Sequence, residues 1–367
     1  MKAMVLAAGK GTRLAPLTGE IPKPMAPVAG KPIIQHIFEL LERAGIEEVH
    51  ANVYYLAEKI LAHYGPDSRM NKMTIRLTRE EELMGTAGGL KRIADRFDDT
   101  FAVIMGDALT DVDLAEVVAF HKERGAIATL ALMRVEDTSQ YGVVELDPDG
   151  NILAFQEKPP TEDAVSTLAN TGIYILEPEA MDYIPEGTFF DFAQDVFPRL
   201  LAAGEKFVGY EGDFYWSDIG TLSAYRAAQI DVLSGRVRTS IPGDNWGEGL
   251  WVDGDARLHP TASLRGRVVV GRDAIVGPAA TLEGDVTVGR DCRVGAGATV
   301  KRSILLTGAA VGEDAHVEGC IVGPGYEVSP EERIQGEVLV GARRNSESPL
   351  TLVGVRVSPE PKKELSG

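Results

Sequence analysis

The sequence contains very little cysteine. Only Cys292 and Cys320 occur among 367 residues, so no disulfide framework is indicated and a reducing, cytoplasmic location fits. No apolar run reaches the roughly 18 residues that a membrane-spanning helix needs. The apolar stretch near the start ends at Gly9, which is too short for the hydrophobic region of a secretory signal. These absences predict a cytoplasmic protein that does not bind membranes.

Positive charge is also scarce. Lys and Arg number 37 against 55 Asp and Glu, which gives a net charge of −18 and argues against a nucleic-acid-binding surface. Residues 1–31 depart from this balance, because they hold five basic residues and one acidic residue. A local positive cluster in an acidic protein is where an anionic ligand would be bound.

The first part of the chain alternates between short apolar runs and apolar residues at helical spacing. The predicted strands are Lys2–Ala8, Glu48–Val53, Phe101–Met105 and Ile127–Val135. Helices are predicted from Pro32 to a stop at Gly45, and from about Asp113 to Gly125. This alternation predicts an α/β fold: a Rossmann-like, mostly parallel sheet with helices on both faces. Ligands of such sheets bind at the carboxyl ends of the strands.

A repeat follows a Gly- and Pro-rich segment at 234–251, which is predicted to be a linker. Aliphatic residues recur every six positions at Leu258, Leu264, Val270, Val276, Leu282, Val288, Val294, Val300 and Leu306. This spacing is typical of the hexapeptide repeat of a parallel, left-handed β-helix. The domain is predicted to span 252–341 with about three coils and a weaker continuation. A polar C-terminal tail is predicted for 342–367.

A glycine-rich turn follows the first predicted strand. Residues 6–14 are Leu-Ala-Ala-Gly-Lys-Gly-Thr-Arg-Leu, and Pro22-Lys23-Pro24 come shortly after. Glycines at 9 and 11 would let backbone N–H groups approach phosphate oxygens. A Walker A motif is missing, and Leu14 breaks the dinucleotide-binding pattern. From these residues alone, a phosphate-binding turn and an ordinary strand turn both stay open.

This segment resembles the signature of the sugar nucleotidyltransferases, also called nucleotide-sugar pyrophosphorylases. Further segments match in family order across residues 3–225: Gly85-Thr86-Ala87-Gly88, Gly106-Asp107, Tyr141-Gly142-Val143-Val144, Glu157-Lys158-Pro159, Asn170-Thr171-Gly172 and Trp216-Ser217-Asp218-Ile219-Gly220. The resemblance implies that 1–233 is a catalytic domain that transfers a nucleotidyl group from a nucleoside triphosphate to a sugar 1-phosphate and releases pyrophosphate. A C-terminal hexapeptide β-helix is common in this family.

The resemblance also assigns roles to individual residues. It implies catalysis by Arg13, Lys23, Asp107 and Asp218, with the two aspartates binding Mg²⁺. The implied nucleotide-binding residues are Leu6, Ala7, Ala8, Gly9, Gly11, Thr12, Arg13, Glu80, Gly85 and Thr86. The implied sugar-phosphate-binding residues are Gly142, Glu157, Lys158, Asn170 and Thr171. As isolated residues, the two aspartates would be ordinary turn or cap residues, and Asp111 and Asp113 are predicted to cap the helix ending near Gly125.

The nucleobase is predicted from residues 80–88, which resemble the base-recognition loop of mannose-1-phosphate guanylyltransferases, although Leu83 replaces their usual proline. Guanine offers two adjacent donors on its Watson–Crick edge, and the Glu80 carboxylate would accept both. The expected substrates are therefore GTP and mannose 1-phosphate. Thymidylyl, uridylyl or adenylyl transfer stays open, as does a merely solvated acidic run at Glu80–Glu82.

Two other functional classes remain. The chain would be a non-catalytic regulatory or scaffold subunit if its phosphate-binding residues had no chemical role. The β-helix would instead carry an acyltransferase site if His259 or His316 acted as a base. The regular faces of the β-helix also predict a homo-oligomer.

Overall fold

The computed structural model describes residues 1–341 and the backbone of the strand Val355–Val357. The rest of the predicted tail lies outside the described residues. The chain forms two compact units. The first consists of Met1–Lys10, Pro22–Met25 and Ile33–Ile219, and the second of Gly11–Ile21, Ala26–Pro32 and Gly220 onward. Two short N-terminal segments therefore belong to the second unit, whereas the boundaries predicted from sequence pattern divide the chain once; those boundaries stay a prediction.

The first unit is built on a ten-stranded sheet. In spatial order its main path is Ile152–Glu157, Gly142–Leu146, Leu168–Leu176, Phe101–Met105, Lys2–Ala7, Glu48–Val53, Met73–Arg79 and Asp67–Met70. Ala128–Arg134 pairs with Leu168–Leu176, and Phe207–Glu211 pairs with Ala128–Arg134. The central strands around Lys2–Ala7 are parallel, and antiparallel pairings flank them on both sides. The predicted fold class is confirmed.

Helices cover both faces of this sheet. They are Ile33–Arg43, Ala57–Tyr64, Gly85–Lys91, Leu114–Arg124 and Phe197–Ala203. The second unit has its own helix, Leu222–Leu233. Along the first strand, Ala3, Val5 and Ala7 belong to one apolar cluster, whereas Met4 and Leu6 belong to another. Because side chains alternate along a strand, the first strand is buried on both faces.

The two aspartates predicted to cap a helix have different roles. Asp113 is the N-cap of Leu114–Arg124, and its side chain accepts hydrogen bonds from the first turn. The same prediction is wrong for Asp111. Its carboxylate accepts from the Tyr215 backbone N–H at 2.7 Å, and its own N–H donates to the Tyr215 carbonyl. Asp111 therefore joins two distant segments of chain.

The second unit contains a parallel β-helix of three sheets. Its strands are Leu250–Val252, Arg257–Leu258, Ser263–Arg265, Val268–Val270, Ile275–Val276, Thr281–Glu283, Val286–Val288, Arg293–Val294, Thr299–Lys301, Ile304–Leu305, Ala310–Val311, His316–Glu318, Ile321–Val322, Glu327–Val328, Arg333–Gln335 and Val338–Val340. The hairpin strand Asp244–Gly247 precedes them, and Val355–Val357 pairs antiparallel with the last. The strands complete five coils, so the predicted weaker continuation adds two coils to the predicted three.

The six-residue pattern becomes weaker after Leu306 because the length of the coil changes there from 18 to 17 residues. Val270 lies opposite Val288, 18 residues later, but Val288 lies opposite Leu305, only 17 residues later. A single residue, Arg302 at φ 45°, makes the turn that two residues make in the preceding coil. The six-residue pattern thus places Leu306 where the structure places Leu305.

The glycines of the repeat are required by close backbone approach. A Cβ on Gly289 would lie 2.8 Å from the Leu305 carbonyl oxygen, and one on Gly295 would lie 2.7 Å from the Glu313 nitrogen. Each clash is with the backbone of the next coil. Close stacking of the coils therefore explains these two glycines.

Candidate active site

Three of the four predicted catalytic residues are brought together by one ammonium group. The Lys23 side chain is 7% exposed, and its Nζ lies 2.8 Å from Asp107 Oδ2. The same Nζ donates to the Asp218 backbone carbonyl at 2.5 Å. These residues are 84 and 195 positions away from Lys23 in the sequence. Folding therefore assembles a cluster that sequence spacing alone does not reveal.

The position of Asp107 follows from the residue before it. Gly106 continues the strand Phe101–Met105, and its N–H donates to the Leu6 carbonyl at 2.9 Å. A Cβ at Gly106 would lie 2.9 Å from Val5 Cγ1 and 3.1 Å from Ala7 Cβ. Only glycine allows this approach, which places Asp107 at the carboxyl end of the first strand.

The position of Asp218 depends on the segment that Asp111 holds. Strand Trp216–Ser217 pairs with Leu109–Thr110. Thr110 Oγ1 donates to the Tyr215 carbonyl at 2.8 Å, and Asp111 accepts from the Tyr215 N–H. These contacts fix the chain immediately before Asp218 against the segment that follows Asp107.

The donor set at this cluster fits Mg²⁺. A magnesium ion commonly takes one or two carboxylates and completes its octahedron with phosphate oxygens and water. No group of three or more His, Cys, Asp or Glu side chains within 1–341 is arranged to hold a metal. The Lys23 ammonium lies against the Asp107 carboxylate and the Asp218 backbone carbonyl. Asp107 and Asp218 are residues of the type that such an ion takes as its carboxylate ligands.

The residues predicted to bind the sugar phosphate lie on paired strands. Glu157 and Lys158 form an exposed ion pair with 3.0 Å between Oε1 and Nζ, and Lys158 has a left-handed φ of 47°. Gly142 lies opposite Glu157. A Cβ at Gly142 would lie 2.9 Å from Glu157 Oε2 and 2.5 Å from Phe155 Cζ. Glycine is therefore needed here to accommodate the Glu157 side chain.

Asn170 and Thr171 make contacts that support the backbone. Thr171 is buried, and its hydroxyl donates to the Ala131 carbonyl at 2.8 Å. Asn170 Oδ1 accepts from the Gly172 N–H at 3.0 Å, and its Nδ2 donates to the Tyr174 hydroxyl at 3.1 Å. Their contact with sugar hydroxyls stays a prediction.

An aromatic pair near Asp218 was not identified from the sequence. The rings of Tyr141 and Trp216 meet edge to face, with their centroids 5.1 Å apart. The indole Nε1 of Trp216 is buried and has no hydrogen-bond partner in the described part of the chain. The available signal was that both residues lie inside family-like segments, next to Gly142 and two residues before Asp218.

The glycine-rich turn begins as predicted, directly after the strand Lys2–Ala7. Gly9 is exposed, and a Cβ there would meet no atom within 4 Å. Gly11 has a left-handed φ of 63° and precedes the short helical turn Thr12–Leu14, in which Thr12 and Arg13 are exposed. Gly11 is therefore required by conformation, whereas the space beside Gly9 is available to a ligand.

The acidic run Glu80–Glu82 is not uniform. Glu81 and Glu82 are exposed, but Glu80 is only 3% exposed. Its Oε1 accepts from Asn52 Nδ2 at 2.8 Å, and its Oε2 has no hydrogen-bond partner among the described residues. The solvated-run interpretation therefore holds for Glu81 and Glu82 and fails for Glu80.

The helix that follows this run packs on a second segment. Gly85 has φ 75°, and a Cβ there would collide with the Phe190 carbonyl oxygen. Thr86 Oγ1 donates to Asp191 Oδ2 at 2.8 Å. The two predicted nucleotide-binding residues thus have structural contacts of their own, and binding by them stays a prediction.

Comparison with known proteins assigns the family. The nucleotidyl transferase family model matches residues 2–235, and the model of the GMPPB C-terminal domain matches residues 264–367. The chain belongs to the nucleotidyl transferase family. The resemblance to sugar nucleotidyltransferases and the prediction of an enzyme are confirmed. No helix in the described residues is long and apolar enough to cross a membrane.

Three curated relatives show the range within the family. A UTP–glucose-1-phosphate uridylyltransferase of Synechocystis is 46% identical over 66% of this chain and 66% of its own length. A mannose-1-phosphate guanylyltransferase of Mycobacterium tuberculosis is 39% identical over 74% and 75%. The catalytic subunit beta of the Xenopus tropicalis mannose-1-phosphate guanylyltransferase is 33% identical over 98% and 96%. Among solved structures, HddC from Yersinia pseudotuberculosis complexed with GMP-PN has a TM-score of 0.54 and 26% identity over 63% of this chain and 99% of its own.

Proposed function

We propose that this family member transfers a guanylyl group from GTP to mannose 1-phosphate and forms GDP-mannose and pyrophosphate. The observation that carries the transfer chemistry is the convergence of Lys23, Asp107 and Asp218. A scaffold subunit would gain nothing from a buried ammonium beside a half-exposed carboxylate, because such pairs cost desolvation. An enzyme that binds triphosphates needs an ammonium to bind phosphate oxygens and carboxylates to bind a metal ion.

In the proposed reaction a phosphate oxygen of the sugar 1-phosphate attacks the α-phosphorus of the triphosphate. A new P–O bond forms while the bond to the β-phosphate oxygen breaks, and pyrophosphate leaves with the electron pair. Lys23 would donate to the α-phosphate, where negative charge grows. Asp107 and Asp218 would hold Mg²⁺, which when bound neutralises phosphate charge. Arg13 would bind triphosphate oxygens through its guanidinium fork.

The choice of guanine is supported by Glu80 and by the relatives. An ionised carboxylate only accepts hydrogen bonds, and guanine presents two adjacent donors. The buried Oε2 of Glu80 has no hydrogen-bond partner among the described residues and provides an acceptor. Two of the three relatives described above are named mannose-1-phosphate guanylyltransferases, and HddC was solved with GMP-PN.

A second candidate is uridylyl transfer to glucose 1-phosphate. The Synechocystis enzyme, at 46% identity, is named for that reaction. Uracil has one donor, its N3–H, and a carbonyl oxygen on each side of it. A carboxylate therefore accepts one hydrogen bond from uracil and meets its carbonyl oxygens, whereas it accepts two hydrogen bonds from guanine.

Acyl transfer by the β-helix has no support from the geometry. His259 bonds locally with Thr261 at 2.9 Å, and His316 lies 3.4 Å from Glu318 in its own strand.

The deciding experiment measures pyrophosphate release with each of GTP, ATP, CTP, UTP and dTTP against mannose 1-phosphate and glucose 1-phosphate. The proposal expects the highest kcat/KM with GTP and mannose 1-phosphate. Preference for UTP and glucose 1-phosphate would replace the substrate assignment and leave the transfer reaction standing. Absence of pyrophosphate with every pair would favour the scaffold interpretation.

A further inference from the structure

We infer that Asn52 is a positioning residue that holds Glu80 as the hydrogen-bond acceptor for the nucleobase and fixes it to the start of the glycine-rich turn. This inference rests on the proposed function, because it assigns base recognition to Glu80. Asn52 belongs to none of the family-like segments. It lies in the strand Glu48–Val53 and is 4% exposed.

The orientation of the Asn52 amide is fixed by its neighbours. Its Oδ1 accepts from the Ala7 backbone N–H at 3.0 Å, and its Nδ2 donates to Glu80 Oε1 at 2.8 Å. A backbone N–H can only donate, so the amide oxygen must face Ala7 and the amide nitrogen must face Glu80. Asn52 therefore presents a donor to Glu80, which commits Oε1 of that carboxylate to accepting.

The other oxygen of the same carboxylate lacks a donor. Glu80 Oε2 is buried and has no hydrogen-bond partner among the described residues. An unpaired buried acceptor is costly, and the cost is larger for a charged group. A base N–H would supply the missing donor, so the cluster is better suited to binding than to stability alone.

Gly89 provides independent evidence that the two side chains need exact placement. A Cβ at Gly89 would lie 2.6 Å from Glu80 Oε1 and 2.7 Å from Asn52 Nδ2. Both are side-chain ends, so a larger residue would displace the two groups that the inference requires to be fixed. Glycine is unfavourable inside a helix, and here it leaves the space that the hydrogen bond between Asn52 and Glu80 occupies.

The arrangement connects two parts of the nucleotide. Ala7 is the last residue of the first strand and immediately precedes Ala8 and Gly9 of the turn proposed to bind phosphates. One amide group thus links the acceptor for the base to that turn. Loss of Asn52 should weaken triphosphate binding and base discrimination while it leaves the chemical step intact.

The test measures kcat and KM for all five triphosphates with the wild type, Asn52→Ala, Glu80→Ala and the double variant. Asn52→Ala should raise KM for the preferred triphosphate about 10- to 100-fold, the effect of losing a hydrogen bond to a charged group. It should change kcat by no more than about twofold. It should also reduce the ratio of kcat/KM between the preferred triphosphate and the other four. Because both residues act as a unit, the double variant should resemble Glu80→Ala rather than show the product of both effects.

Two further variants keep the result interpretable. Asn151→Ala is the matched control, because its amide also donates to a carboxylate, Asp147 Oδ2 at 2.7 Å, in a part-buried turn outside the proposed site; it should leave KM and base preference unchanged. Gly89→Ala, checked for a native melting temperature, should reproduce the loss of base preference. It supplies the answer if Asn52→Ala does not fold.

Unchanged KM and base preference in Asn52→Ala and Gly89→Ala, or fully multiplicative effects in the double variant, would overturn the inference. The measurement uses whichever triphosphate the wild type prefers, so a failed guanine assignment does not affect it. If no triphosphate releases pyrophosphate, the proposed function fails by itself. Calorimetric titration of the same variants with GTP and UTP then measures the contribution of Asn52 to triphosphate affinity without catalysis. Affinities equal to those of the wild type would overturn the inference.

Discussion

At the residue scale, the cluster of Lys23, Asp107 and Asp218 gives the most direct prediction. Lys23→Ala, Asp107→Asn and Asp218→Asn should each reduce kcat about 100- to 1,000-fold, because each removes a preorganised charge beside the reacting phosphates. The measurement is single-turnover transfer at saturating Mg²⁺ and triphosphate, with thermal unfolding as a check on folding. Glu123→Gln, at an exposed carboxylate on the helix Leu114–Arg124, is the control. A near-normal rate in any one variant would remove that residue from the site.

The sequence could predict which residues belong to this cluster but not how they contact one another. The family-like segments identify Lys23, Asp107 and Asp218 separately. The contact between Lys23 and Asp107 depends on Gly106 fitting beside the first strand, which is a tertiary fact. Asn52 was missed for the same reason, since its significance comes only from hydrogen bonds to partners 45 and 28 residues away.

At the element scale, the helix Leu114–Arg124 carries a group that should make stability depend on pH. His121 is fully buried, with Nδ1 2.8 Å from Thr129 Oγ1 and Nε2 3.0 Å from Glu177 Oε1. Burial lowers the pKa of His121, and Glu177 opposes this only in part. The unfolded chain therefore takes up a proton at higher pH than the folded one. The contribution of His121 to stability is complete above its ordinary pKa of 6.5 and is lost as the pH falls below that value.

Denaturant unfolding between about pH 7.5 and pH 5 should show a smaller loss of unfolding free energy in His121→Gln than in the wild type. His259→Gln, at an exposed site, should follow the wild type, and parallel curves for all three would contradict the assignment.

The β-helix gives a second prediction at this scale. Gly289→Ala and Gly295→Ala should each destabilise the protein by about 1–3 kcal/mol, because the added methyl group overpacks against the next coil. Gly254→Ala is the matched control, since a Cβ there meets nothing within 4 Å. If Gly289→Ala and Gly295→Ala melt at the same temperature as Gly254→Ala, the coils can move apart to accept the methyl group without loss of stability, and the prediction is wrong.

The regular elements were predictable because their signals are local. The strand Phe101–Met105 and the helix stop at Gly125 follow from apolar period and turn chemistry within a few residues. The coil count was not predictable in the same way. One residue fewer at the turn formed by Arg302 shifts every later inward position, and a fixed six-residue period cannot follow that shift.

At the scale of the whole molecule, N-terminal segments contribute to the unit that contains the β-helix. The Pro27 carbonyl accepts from the Tyr225 hydroxyl at 2.5 Å and from Gln229 Nε2 at 2.7 Å, and Gln229 Oε1 in turn accepts from Thr287. The sequence pattern places a domain boundary after 233 and offers no sign of these contacts. Deleting the β-helix would therefore disturb residues 26–32 as well, and it is a poor test of assembly.

Substitution of exposed apolar residues tests assembly more cleanly. The regular faces of the β-helix predict a homo-oligomer, and two large apolar side chains are exposed within residues 244–341, which contain the β-helix and the hairpin strand before it: Trp246, at 61%, and Ile275, at 38%. Light scattering of the intact protein should give a multiple of the 39.4 kDa chain.

If these two side chains lie in the contact between copies of the chain, Trp246→Glu and Ile275→Glu should lower that mass, because burying an unpaired carboxylate costs several kcal/mol. Leu153→Glu, at a position 57% exposed in the first unit, controls for the added charge and should leave the mass unchanged. A wild-type mass of one chain would reject assembly outright, and an unchanged multiple in both variants would move the contact away from these two side chains.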